Sequence, residues 1–174
     1  TLTDWRDVVR AIRDLTVRGA PAIGVAAAMG IALGTLHLPE TSAGEFRRSF
    51  DRICRAFSKA RPTARNLFWA IERMQRRFAE SLPAGLTAVK KALIEEAVTV
   101  GEEDIETNRR IGLYGKAFIR DGANILTHCN AGALATAGYG TALGVIRAAR
   151  EEGKKVHVYV DETRPVLQGA RLTC

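Results

Sequence analysis

Two short apolar runs, NILTHC at 124–129 and VHVYV at 156–160, stand on either side of LATAGYGTALGVIRAAREEG, a stretch of helical spacing that Gly153 closes. Strand, helix, strand in that order is a βαβ unit, and a crossover of this length makes its two strands run parallel. Parallel strands need both faces covered, and two of them are too few to stand alone. The fold class expected is therefore α/β, with these residues as the start of a Rossmann-like parallel sheet. The same argument makes the 174 residues a portion of a larger protein. An unpaired strand edge would then leave the isolated portion poorly soluble and inactive.

Everything before that unit reads as helix. DWRDVVRAIRDL sets Trp5, Val8, Val9, Ile12 and Leu15 on one stripe at spacings of three and four. RGAP breaks the stripe, and Pro21 suits the first position of a second helix that runs to about Leu36. That helix, APAIGVAAAMGIALGTL, is rich in Ala and Gly and falls short of the roughly 20 residues a membrane span needs, so it reads as a tightly packed internal helix. A third helix covers about 44–59, burying Phe46, Phe50, Ile53, Cys54 and Phe57. After ARPTARN a fourth runs over about 65–80, and a long fifth segment over about 87–119, with bends possible at Gly101 or Gly112. The expected division is a helical N-terminal domain at 1–119 and the first βαβ portion of a Rossmann-like domain at 120–174.

Charge and cysteine content narrow the function. The net charge is +7, but runs such as RRSFDRICR and RMQRRF interleave cations with apolar residues, as the solvated face of an amphipathic helix does. No nucleic-acid motif accompanies them, so neither nucleic acid nor membrane is expected as a partner. Three cysteines without paired or metal-like spacing argue against disulfides and zinc and for a reducing cytoplasm. No ligand spacing calls for a metal or organic cofactor.

Ligands of open parallel sheets bind beyond the carboxyl ends of the strands. Both strands here end in polar clusters, His128-Cys129-Asn130 and Asp161-Glu162-Thr163, on the same edge. Cys129 reads either as a buried filler or as a reactive thiol; the second reading places it just ahead of a helix, whose positive end favours a thiolate. VRGAPAIG puts Arg18, Gly19 and Ala20 at a helix N-terminus, which is either a plain helix–helix turn or a phosphate site of N–H groups and guanidinium. Arg61 in ARPT offers a second anion contact, and the amide of Gln168 can read a sugar hydroxyl. Cys54 reads as core, His128 as a structural residue, and Asp161 as a catalytic group or a turn cap paired with Arg164. His37, His157 and Cys174 carry no partner signal.

Five stretches in order, VRGAPAIGVAAAMGIALG, ARPTARNL, EEDIETNRRIGLYG, ILTHCNAGALATAGYGTALGVI and VYVDETRPVLQGARLT, resemble the family of methylthioribose-1-phosphate isomerases and the regulatory subunits of the eukaryotic translation-initiation exchange factor. The resemblance implies a helical domain followed by a Rossmann-like domain, usually in a homodimer. It implies isomerisation of 5-methylthioribose 1-phosphate to 5-methylthioribulose 1-phosphate in methionine salvage. A ribose-1,5-bisphosphate isomerase and a non-catalytic regulatory subunit are the alternatives within the family. Carried over residue by residue, Arg18, Gly19 and Ala20 match a substrate-binding segment, Arg61 a second binding arginine, Gln168 a further substrate-binding residue, and Cys129 the catalytic cysteine. The family's leading segment and the GADR…NGD…NK region with its catalytic aspartate are not among these residues. Ala60 stands where the family often has Ser.

Overall fold

The computed structural model describes residues 1–174 throughout. They pack as two compact units, Thr1–Gly101 and Glu102–Cys174. The expected boundary at 119/120 follows the change from helix to strand; the packing boundary falls earlier, inside the long fifth helix.

The first unit is helical: α1 (Trp5–Arg13), α2 (Ala20–Leu36), α3 (Ala43–Ser58), α4 (Arg65–Ser81) and the first half of α5 (Leu86–Gly115), with a 3₁₀ turn at Leu82–Ala84. Asp4 caps α1 by accepting from the Arg6 N–H, and Ser42 caps α3 by accepting from that of Glu45. α2 is apolar on every side and most of it packs into the core, with Met29 and Leu36 left exposed. Its glycines set how closely the neighbours come. A methyl group at Gly30 would lie 2.4 Å from Phe57 Cζ, and one at Gly34 would lie 2.9 Å from the Trp5 ring. α1 and α3 thereby press onto α2 at these two points. The rest of the core is aromatic: Phe46, Phe50, Phe57 and Phe78 are fully buried, with the Phe50 and Phe78 rings stacked at 4.2 Å. Cys54 sits among them, and burial pushes its thiol up to about 12, which makes it the core residue the pattern indicated. No helix is long and apolar enough to cross a membrane.

The second unit holds the end of α5, a 3₁₀ turn at Lys116–Phe118, β1 (Ala123–His128), α6 (Ala142–Glu151), β2 (Val156–Asp161) and a π-helical turn at Gly169–Thr173. β1 and β2 are parallel, in register from Ala123↔Val156 to His128↔Asp161. Period-two alternation leaves one sheet face half-buried and the other open, with Leu126 and Tyr159 on the open face. Gly112 and Gly115 let α5 lie against α6: methyl groups there would strike Tyr139 and Val145 at 2.7 and 2.5 Å. Buried Asn108 on α5 fixes the loop before α6, donating to the Gly138 carbonyl at 3.3 Å.

Candidate active site

In the first unit the sequence candidates gather at two helix beginnings. Gly19 is the N-cap of α2 with φ 95 and ψ 134, a conformation that an L side chain resists. No side chain caps this end, and Pro21 follows at once. α4 also begins without a side-chain cap, at Ala64. The two beginnings lie together: a methyl group on Gly24, one turn into α2, would stand 3.0 Å from the carbonyl of Asn66 in the first turn of α4. Arg18 precedes one helix and Arg61 the other. Both are half-buried, and neither has a carboxylate within 4.0 Å. Two uncapped N-termini and two unpaired guanidinium groups make this end of the unit electropositive and well supplied with donors, as a phosphate requires.

In the second unit Cys129 follows β1 directly, half-buried, with φ 62 in the left-handed region. A residue other than glycine rarely holds that conformation without outside support. Threonine hydroxyls flank it on both peptide sides. The Cys129 N–H donates to Thr163 Oγ1 at 3.0 Å, and that hydroxyl donates on to the Asp161 carbonyl at 3.0 Å. The Cys129 carbonyl accepts from Thr173 Oγ1 at 2.7 Å, which in turn accepts from the Asn130 amide at 3.1 Å. Asn130 Oδ1 is buried without a partner. His128 Nδ1 lies 3.1 Å from Asp161 Oδ2 across the ends of the two strands, while Arg164, expected to pair with Asp161, instead donates to Glu162 Oε2 at 3.2 Å.

The loop carrying these threonines is itself contorted. Thr163 and Leu167 have φ 65 and 62, and the Arg164–Pro165 peptide is cis. Gly169 packs so tightly on the end of β2 that a methyl group there would be 1.7 Å from the Asp161 carbonyl oxygen. Gln168 immediately precedes the π-helical turn, half-buried, its amide free of any hydrogen bond within the chain. Cys129 and Gln168 thus share one edge of the second unit. No three His, Cys, Asp or Glu side chains converge as a metal ion would require.

Residues 16–174 match the sequence profile of the initiation factor 2 subunit family. The chain belongs to that family. It is 62% identical over 190 residues to a methylthioribose-1-phosphate isomerase of Syntrophus aciditrophicus, covering 99% of this chain and 52% of the relative. Among solved structures it resembles the 5-methylthioribose 1-phosphate isomerase of Pyrococcus horikoshii, with 43% identity, a TM-score of 0.91, and coverage of 98% of this chain and 48% of the other. It also resembles the translation initiation factor eIF-2B subunit delta of A. fulgidus, with 42% identity, a TM-score of 0.87, and coverage of 99% and 50%. The chain spans about half the length of the curated relatives it matches. The chain thus resembles proteins named as an enzyme and as a factor subunit, and the fold alone does not choose between them.

One local expectation is corrected. The helix after β1 starts at Ala142, not near residue 134, because Tyr139 and Gly140 adopt positive φ and break it. Cys129 is consequently not the residue ahead of a helix. The N–H groups of Thr141 and Leu143 at the start of α6 are spent on the Ala131 carbonyl, at 2.9 and 3.3 Å. Backbone geometry, rather than a helix dipole, distinguishes the cysteine in this member of the initiation factor 2 subunit family. The sequence placed Thr163 in the polar cluster after β2 without its tie to Cys129, and did not mark Thr173 at all, since the two hydrogen bonds span 34 and 44 positions.

Proposed function

We propose that the complete protein is an aldose–ketose isomerase converting 5-methylthioribose 1-phosphate to 5-methylthioribulose 1-phosphate, working in the cytoplasm as a homodimer in methionine salvage. The observation that carries this reading is the 62% identity between nearly the whole chain and a relative of that name. The chemistry of the candidate residues supports it. A phosphate on the anomeric oxygen blocks the free ring opening that an ordinary aldose undergoes. The enzyme must help open the ring, keep the phosphate, and move hydrogen from C2 to C1.

Arg18, with the N–H groups of Gly19 and Ala20, and Arg61 hold the phosphate; firm contacts there fix the sugar for reaction. Gln168 reads a sugar hydroxyl. Cys129 handles one of the proton or hydrogen movements. The second group comes from the part of the relatives' length that this chain does not span. Both an enediolate route and a hydride route gain from the exclusion of water, and the residues that follow Asn130 in sequence, Ala131, Gly132 and Ala133, are small and apolar.

A second reading, a regulatory subunit without turnover, is favoured by the likeness to the A. fulgidus factor subunit. Parallel assays of the complete protein with 5-methylthioribose 1-phosphate and ribose 1,5-bisphosphate separate the cases. Turnover of the methylthio sugar is the expected result. Preference for the bisphosphate overturns the substrate, and no turnover of either sugar overturns the enzymatic reading.

A further inference from the structure

We infer that Thr163 and Thr173 are positioning residues for the Cys129 thiol, a role that rests on the reading of Cys129 as the catalytic group. A residue with φ 62 has its Cα–Cβ bond turned to a direction that ordinary extended backbone at a strand end does not give. Left alone, a non-glycine residue leaves that conformation, because the left-handed region brings Cβ too close to the following carbonyl oxygen. Here each peptide flanking Cys129 is tied to a hydroxyl: its N–H to Thr163 Oγ1, its C=O to Thr173 Oγ1. Each hydroxyl is anchored at its other side. Thr163 donates to the last carbonyl of β2, and Thr173 accepts from Asn130.

The two anchors come from the same loop, folded back on itself. Gly169 lies against the Asp161 carbonyl and 3.1 Å (measured from a methyl group placed on it) from Thr163 Oγ1, so the loop has little room to shift. Thr163 is itself in the left-handed region, which β-branched residues avoid. Two neighbouring residues held in disfavoured conformations, joined by one hydrogen bond, fit a site whose geometry is imposed by its surroundings. Neither threonine touches the sugar in this scheme; both act through the direction of the cysteine side chain.

The test uses the complete protein with Thr163→Val, Thr173→Val and the matching Ser variants. Valine keeps the β-branch and volume and removes only the hydroxyl. In the Val variants kcat is expected to fall by about 10- to 100-fold, the range that misplacement of a catalytic group produces, with KM little changed. The Ser variants should recover most of the rate. Alkylation of Cys129 by iodoacetamide, followed by peptide mass spectrometry, gives a readout that does not depend on turnover, with buried Cys54 as the internal control that stays unreacted in the folded protein. Freed from its ties, the Cys129 thiol should alkylate faster in the Val variants while turning over more slowly. Unchanged alkylation and unchanged kcat in folded Val variants overturn the inference, and so does a parallel fall in both, which marks a role in thiol ionisation instead. If Cys129→Ala keeps full activity but the alkylation contrast appears, the clamp stands and the catalytic reading of Cys129 falls.

Discussion

At the scale of single residues, the unit that bears Cys129 depends on backbone positions that tolerate few side chains. Gly169 is the sharpest case, since a methyl group would enter the Asp161 carbonyl oxygen at 1.7 Å. Gly169→Ala must push the loop off the strand end, at a cost of about 1–3 kcal/mol for overpacking. The variant should melt earlier and turn over more slowly, as thermal unfolding and an activity assay will record. The cysteines differ in the same local terms. Cys54, buried and pushed up to about 12, should resist iodoacetamide at neutral pH until the protein unfolds. Much of this scale was legible in the sequence: Cys54 fell on a phenylalanine-rich stripe, and Cys129 on a strand end. The threonine clamp was not, because a hydrogen bond spanning 34 or 44 residues leaves no trace in local spacing.

At the scale of elements, small residues in α2 determine what packs. Gly30→Ala would thrust a methyl group into Phe57, and a loss of about 1–3 kcal/mol in denaturant unfolding is expected. The paired beginnings of α2 and α4 carry the anion contacts. Arg18→Ala or Arg61→Ala should raise KM for the phosphosugar by about tenfold or more, the weight of a charged hydrogen bond, and leave the melting temperature nearly unchanged. Glu40, in the link between α2 and α3, is held below its ordinary carboxyl value by the Thr87 hydroxyl first and the Lys90 ammonium second. A lowered folded value means that this contact contributes above the ordinary value of 4.5 and is lost as pH falls through the lower one. Glu40→Gln should therefore narrow the difference in stability between neutral and acid pH, by a small amount for so exposed a group. The helices were readable from three-and-four spacing and from Pro21. The start of α6 was not, since Leu134 and Ala135 keep helical spacing while Tyr139 and Gly140 turn the backbone out of it.

At the scale of the whole molecule, a helical unit bears unpaired arginines at two helix starts, and an α/β unit bears a clamped cysteine at the end of a parallel strand. The order of elements, five helices and then strand, helix, strand, followed from hydrophobic period and the Gly- and Pro-marked breaks between periodic runs. What period could not supply is the packing division inside α5, because a helix looks continuous in sequence even where its two halves serve different cores. The decisive measurement is the turnover of 5-methylthioribose 1-phosphate by the complete protein beside its folded Cys129→Ala variant. The account predicts that the parent isomerises the sugar and that the variant loses at least about 100-fold in kcat, the lower range for removal of an acid–base group. A variant with the parent's fold and the parent's rate would contradict it.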